Sequence, residues 1–207
     1  MVLKSLPRAT TKILDSLYLR LVVDRKSSLL SIPDAVHLLS LKDSTSLHAL
    51  SMVADQTRAV AKCGDNVTYV TNRNINFTNA CIKKCGFCAF SRTGIDDEAY
   101  FLPMWEIIER AKQAYHEFNA SEVCVQAGLP PRMDPQLYEH IAKEIKKALP
   151  NVYLHAYSPE ELQYGAQINN VSIGTMIDRL KEAGVDSFPG TSAEILVDSV
   201  RRQLARG

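Results

Sequence analysis

Cys81, Cys85 and Cys88 stand in the spacing C-x3-C-x2-C, with Phe87 immediately before the third. Thiolates are soft ligands that suit zinc, copper(I) and iron–sulfur clusters. Three of them satisfy only part of a four-ligand site, and two chemistries compete for such a set. A structural zinc ion wants four protein ligands, and C-x2-C is its usual half. No second C-x2-C exists here, and Cys63, Cys124 and the histidines are isolated along the chain. The other candidate is a 4Fe-4S cluster whose three irons are held by Cys81, Cys85 and Cys88 while the fourth stays open. A closed metal site is structural, whereas an open position does chemistry. The absent fourth protein ligand favours the cluster.

Composition narrows the class. At 207 residues the chain is long enough for one substantial core, or one core and a small appendage. The net charge is +1 and no basic run interleaves with aromatics, so nothing suggests a nucleic-acid partner. No stretch has the apolar length needed to span a membrane. The five cysteines are odd in number and do not form a disulfide framework, which points to a reducing compartment where the thiols stay free for metal. No secretory signal is visible, and the expected location is the cytoplasm. Residues 1–14 carry Lys4, Arg8 and Lys12 without an acid, which leaves organelle targeting open beside the blander reading of a basic helix start.

The elements around the cysteines fall into two regions. Residues 1–63 contain no glycine and read as a helical N-terminal layer. Leu14, Leu17, Tyr18, Leu21 and Val22 give an apolar stripe, Ile32-Pro33-Asp34 starts a second helix with Pro33 at its first position, and Leu47–Arg58 reads as a third. From Gly64 onward the pattern changes. Val67–Thr71 and Asn74–Thr78 read as strands, the second running into the cysteine loop. A helix follows from Pro103 to Phe118, with Trp105 expected in the core, then a strand over Glu122–Gln126. Asp134 caps the next helix, Val152–Tyr157 is a strand, and Ser158-Pro159-Glu160-Glu161 is a capping box. A helix over about residues 175–183, a strand over Val185–Phe188 and a second capping box at Thr191–Glu194 complete the order.

Strand, helix, strand, helix with short connections argues for parallel βαβ units. The predicted architecture is α/β, a partial parallel (βα) barrel of about four βα units over 64–207 preceded by the helical region 1–63. Parallel barrels carry their chemistry at the C-terminal ends of the strands. The cysteine loop and the turns Gln126–Gly128, His155–Ser158 and Phe188–Thr191 sit at such ends and are expected to share one mouth.

The C-x3-C-x-aromatic-C motif resembles the radical S-adenosylmethionine (SAM) superfamily. Further stretches are similar to the tyrosine-using half of FO synthase, the enzyme of the deazaflavin chromophore 7,8-didemethyl-8-hydroxy-5-deazariboflavin. These are Gly64–Val70, Asn72–Asn79, Cys81–Arg92, Glu122–Gln126, His155–Glu161 and Pro189–Leu196, together spanning about residues 50–200 in order. The resemblance implies a 4Fe-4S cluster on Cys81, Cys85 and Cys88 and SAM on its open iron, with Phe87 and the Gln126-Ala127-Gly128 turn as SAM neighbours. It implies a deoxyadenosyl radical that oxidises L-tyrosine, whose 4-hydroxybenzyl fragment joins 5-amino-6-(D-ribitylamino)uracil. His155 and Glu160 are the candidate substrate contacts. An electron donor and a second FO synthase unit are the implied partners. A futalosine-type radical SAM enzyme of menaquinone synthesis, and a cluster-binding fragment without turnover, are the alternatives.

The chain departs from the family pattern in two ways. The family's glycine-glycine turn, followed by Leu-His-Pro, stands here as Gln126-Ala127-Gly128-Leu129-Pro130-Pro131. A positive φ at Ala127 would be strained. The superfamily core also carries more βα units than are counted here, which reads as a truncation at the C-terminus. Cys63 and Cys124 read as small buried hydrophobes, and Lys83 and Lys84 as solvated.

Overall fold

The computed structural model of the chain describes residues 6–26, 30–61, 64, 66–83, 85–93, 98–190 and 197–205. Cys63, Lys84 and the capping box expected at Thr191–Glu194 lie outside them. The backbone gathers into two compact units, Met1–Thr68 and Tyr69–Gly207.

The first unit is helical. Helix α1 spans Arg8–Tyr18 and runs into one π-helical turn, Leu19–Val23. Helix α2 is Ile32–Leu39 and α3 is Ser44–Ala61. Leu14, Leu38 and Ala49 form its small core, flanked by Ile13, Leu17 and Leu50. Tyr18, expected in the buried stripe, is exposed, at the point where the wider π turn ends the 3.6-residue period. Ser31 caps α2 by accepting the Asp34 N–H, which puts Pro33 at the second helical position instead of the first. Asp43 accepts the Ser46 N–H at 2.8 Å and starts α3 three residues earlier than the expected Leu47.

The second unit is built on a parallel sheet in the order β1-β2-β3, with β1 at Asn72–Ile75, β2 at Glu122–Val125 and β3 at Tyr153–Ala156. The register aligns Asn74, Cys124 and His155 in one row, and Ile75, Val125 and Ala156 in the next. Parallel neighbours need a crossover, supplied by α4 (Met104–Glu117) and α5 (Leu137–Ala148). Helices α6 (Pro159–Asn169), α7 (Ile173–Glu182) and α8 (Asp198–Leu204) follow. Alternation along each strand sorts the two faces. Ile75, Val123, Val125, Leu154 and Ala156 are wholly buried and pack in one cluster with Ile107, Ile141, Ile145, Met176 and Leu180 from the helices. The other face carries Asn72, Asn74, Glu122, Cys124 and His155.

Two expected strands differ. Val67–Thr71 is not a strand, and Val67 and Tyr69 are 82% and 90% exposed. β-Branched residues favour a pleated surface only where neighbours pack against it. Only Thr71 reaches the sheet, its carbonyl accepting the Ser121 N–H at 3.1 Å. Val185–Phe188 is reduced to one bridge, Ser187 to His155. The cause is Asp186, whose Oδ2 takes the Leu154 N–H at 2.8 Å and also binds Lys146 Nζ at 2.7 Å. The partial barrel therefore has three full strands and the trace of a fourth. Trp105 is 67% exposed and not in the core, while Cys124 is buried as expected.

Candidate functional site

The chain leaves β1 through Asn76 and Phe77. Phe77 is fully buried, edge-on to Phe101 and Tyr138 at centroid distances of 5.8 and 6.3 Å, and anchors the root of the cysteine loop. Asn79 then acts as a two-sided tether. Its Nδ2 donates to the Glu98 carbonyl at 2.9 Å and its Oδ1 accepts the Tyr100 N–H at 2.8 Å. The loop closes where the Cys81 N–H donates to the Arg92 carbonyl at 3.0 Å and the Arg92 N–H to the Asn79 carbonyl at 2.9 Å. Within it the Cys88 N–H donates to the Cys85 carbonyl at 3.1 Å, and the Arg92 guanidinium reaches the Ala89 carbonyl at 2.9 Å.

Cys81, Cys85 and Cys88 are free thiols, each half-exposed. Burial pushes the Cys85 thiol up, and its neighbours Cys81, Cys88 and Glu160 push the same way. A single tetrahedral ion would draw its sulfurs to about 2.3 Å from one point. Among the described residues no group of three His, Cys, Asp or Glu side chains is placed to hold one metal ion. A cluster asks for a looser arrangement, because each thiolate binds its own iron. Phe87 stands at the loop surface, 51% exposed.

The turn after β2 is pressed against this loop. The Gly128 N–H donates to the Thr78 carbonyl at 2.9 Å and the Ile82 N–H to the Leu129 carbonyl at 2.8 Å. A Cβ on Gly128 would meet the Ala80 carbonyl oxygen at 2.4 Å and the Cys81 Cβ at 3.1 Å. Glycine is required there by the cysteine loop itself. Asn76 Nδ2 donates to the Gln126 carbonyl at 2.7 Å, and the Gln126 N–H reaches the Ile75 carbonyl at 3.4 Å. Ala127 has no positive φ, so alanine stands there without backbone strain.

The turn after β3 also reaches the cysteine loop. Tyr157 is fully buried with φ +66, an unusual conformation for a bulky residue. Its N–H donates to the Val125 carbonyl at 2.9 Å and its hydroxyl to the Tyr138 carbonyl at 2.7 Å. The capping box at Ser158 is present as expected. Glu160 pairs with Lys83 of the cysteine loop at 3.4 Å, so this lysine is not simply solvated. His155 Nδ1 lies 2.6 Å from Ser187 Oγ, on the less buried face of the sheet.

The sequence pattern shows Glu161 only as a helix cap. It is 1% exposed, and its Oε1 accepts the Ala127 N–H at 3.0 Å, 34 residues away. Burial pushes its carboxyl up to about 7, against three hydrogen bonds from Ser158 and Ala127 that favour the charged form. Its place in the S-x-x-E capping box was visible, but that motif explains only one of its two oxygens.

A parallel α/β half-barrel with a three-cysteine loop on its first strand defines the class. Residues 75–207 match the Radical SAM superfamily, and the chain belongs to it. It is 45% identical over 165 residues to an FO synthase of Streptomyces avermitilis, covering 80% of this chain and 19% of that protein. It is 46% identical over 155 residues to a 5-amino-6-(D-ribitylamino)uracil–L-tyrosine 4-hydroxyphenyl transferase of Methanothermobacter thermautotrophicus, covering 75% of this chain and 42% of that protein. A Microcystis aeruginosa protein with the same transferase name is 42% identical over 185 residues, 87% of this chain and 48% of its own length. The chain thus spans less than half the length of these relatives. Among solved structures, a methylornithine synthase superposes with a TM-score of 0.61 at 20% identity, over 87% of this chain and 46% of that one. An FeFe-hydrogenase maturase from Carboxydothermus hydrogenoformans gives 0.55 at 13% identity, over 90% and 49%. Those two likenesses speak for the fold alone.

Proposed function

We propose that the chain acts in deazaflavin biosynthesis as a radical SAM transferase. It moves the 4-hydroxybenzyl group of L-tyrosine to 5-amino-6-(D-ribitylamino)uracil, in the cytoplasm, with an electron donor and a second FO synthase unit as partners. The observation that carries this reading is the 46% identity, over three quarters of the chain, to a relative named for that reaction.

Cys81, Cys85 and Cys88 would hold a 4Fe-4S cluster. The donor set suits it by its chemistry: three free thiols on one loop, with Cys81 and Cys88 near enough to help push the Cys85 thiol up. When bound, the cluster and SAM supply one-electron chemistry that removes a hydrogen atom from substrate. The chain's own part is positioning. Ala127 and Gly128 spend their N–H groups inside the fold, on Glu161 and Thr78. The Gln126 carbonyl accepts Asn76 Nδ2 on one lone pair; that carbonyl's second lone pair and the carbonyls of Ala127 and Gly128 are what the turn has left to offer a ligand, which would suit an ammonium group such as that of the methionine moiety of SAM. Phe87, at the loop surface, would shield that ligand from water. His155, with Nδ1 engaged by Ser187, keeps Nε2 for substrate. Glu160 would act through Lys83, by holding the loop, as readily as by touching substrate.

Anaerobic reconstitution with iron and sulfide tests the first half of the reading. The chain should take up about four irons, and Cys85→Ala should lose them. Iron content unchanged in that variant refutes the ligand set. Incubation with SAM, dithionite, L-tyrosine and the diaminouracil tests the second half, through tyrosine-dependent release of deoxyadenosine. No tyrosine dependence in the iron-loaded chain refutes the substrate.

A further inference from the structure

A carboxylate buried in a protein interior is costly unless charge or hydrogen bonds compensate it. Among the described residues no cation pairs with Glu161, and its compensation comes from three donors. Oε2 accepts the Ser158 N–H at 2.7 Å and the Ser158 O–H at 2.8 Å, which is the ordinary capping box of α6. A capping box needs nothing more. Oε1 nonetheless reaches across to the next strand end and takes the Ala127 N–H. The same turn is held from its far side by the Gly128 N–H on the Thr78 carbonyl, and by the contact of Gly128 with Ala80.

We infer that Glu161 is a positioning residue for the ligand turn: by holding the Ala127 N–H it fixes the Gln126–Ala127 peptide plane, so that the Gln126 carbonyl, which spends one lone pair on Asn76 Nδ2, keeps its second lone pair for the ligand. The inference rests on the proposed function for the identity of that ligand, SAM, and on the Ala127–Glu161 hydrogen bond alone for the tie. Capping and positioning separate chemically. A glutamine at this position has one acceptor oxygen and one donor NH2. The fixed Ser158 N–H demands the acceptor, so the NH2 of Glu161→Gln turns toward Ala127, where a donor already points. That variant keeps the cap and breaks the tie. Ser158→Ala does the opposite, weakening the cap and leaving Oε1 on Ala127.

The test uses the full reconstituted chain and two readouts. Hydrogen exchange at the Ala127 amide needs neither cluster nor SAM. It should speed up in Glu161→Gln and stay near wild type in Ser158→Ala. Equilibrium dialysis with labelled SAM should give about tenfold weaker binding in Glu161→Gln at unchanged iron content, and a smaller loss in Ser158→Ala. The change that SAM makes in the electron paramagnetic resonance signal of the reduced cluster should need correspondingly more SAM. Unchanged Ala127 exchange in Glu161→Gln overturns the tie. Wild-type SAM affinity in an iron-loaded Glu161→Gln whose Ala127 exchange is fast overturns the positioning role. A wild-type chain that loads no iron defeats the proposed function instead, and leaves the exchange experiment to decide the tie.

Discussion

The Gln126–Gly128 turn, which packs on the root of the cysteine loop, and the Cys85–Phe90 tip of that loop are built by opposite means. In the turn every backbone N–H is spent inside the fold, and Gly128 is buried against Ala80. At the tip Phe87 and Phe90 are 51% and 40% exposed, and a Cβ on Gly86 would meet nothing closer than the Leu204 carbonyl at 3.6 Å. The turn is fixed by backbone geometry before any ligand arrives. The tip holds its thiols at a partly exposed surface, where under the proposed function the bound cluster completes their arrangement.

Two glycine substitutions break or sharpen this contrast most directly. Gly128→Ala drives a methyl group into backbone and should cost about 3 kcal/mol, seen as a lower urea midpoint. Gly86→Ala meets only ordinary contact and should stay within about 0.5 kcal/mol. Equal losses would mean that root and tip are packed alike.

A smaller effect belongs to Glu161 and has a definite sign. Its carboxyl is raised by burial from the ordinary 4.5 to about 7. A raised folded-state value stabilises the fold below the unfolded-state value, and that stability is lost as pH rises through the folded one. Between pH 4.5 and 7 this group should therefore remove on the order of 2–3 kcal/mol, and Glu161→Gln should flatten that slope in urea titrations run across the window. Tyr138, Tyr157 and Cys124 face the same carboxylate, and burial pushes all three up, Cys124 to about 11, so none of them titrates there.

The smallest prediction concerns a defect on the fixed side. The Tyr138 hydroxyl is buried without a hydrogen-bond partner among the described residues, while its ring stacks at 4.5 Å on Tyr157. Removing an unpaired buried polar group relieves its desolvation, so Tyr138→Phe should stabilise the chain by about 1 kcal/mol in the same urea assay. A loss of similar size would show that the hydroxyl is paired in solution.

What the sequence disclosed follows how local each cause is. The Ser158–Glu161 capping box was legible because its partners are three residues apart, and the cysteine spacing because chemistry is written in it directly. The parallel order of strands and helices was legible from period changes along the chain. The reason for Gly128 was not, because it lies in Ala80, 48 positions earlier. The second oxygen of Glu161 was hidden in the same way. Val67–Thr71 was misread because strand-forming residues say nothing of whether a neighbour is present. Val185–Phe188 was misread because the Asp186 side chain, not the backbone, takes the Leu154 N–H.

The contact of Gly128 with Ala80 also gives the cysteine loop a direction of travel. Movement of the loop root toward the β2 turn is blocked by backbone at van der Waals distance. Movement away must break the hydrogen bonds from Gly128 to Thr78 and from Ile82 to Leu129. The root is therefore held from both sides, whereas the tip is tied by the Gly86 N–H bond to the Leu204 carbonyl and by the Lys83–Glu160 pair.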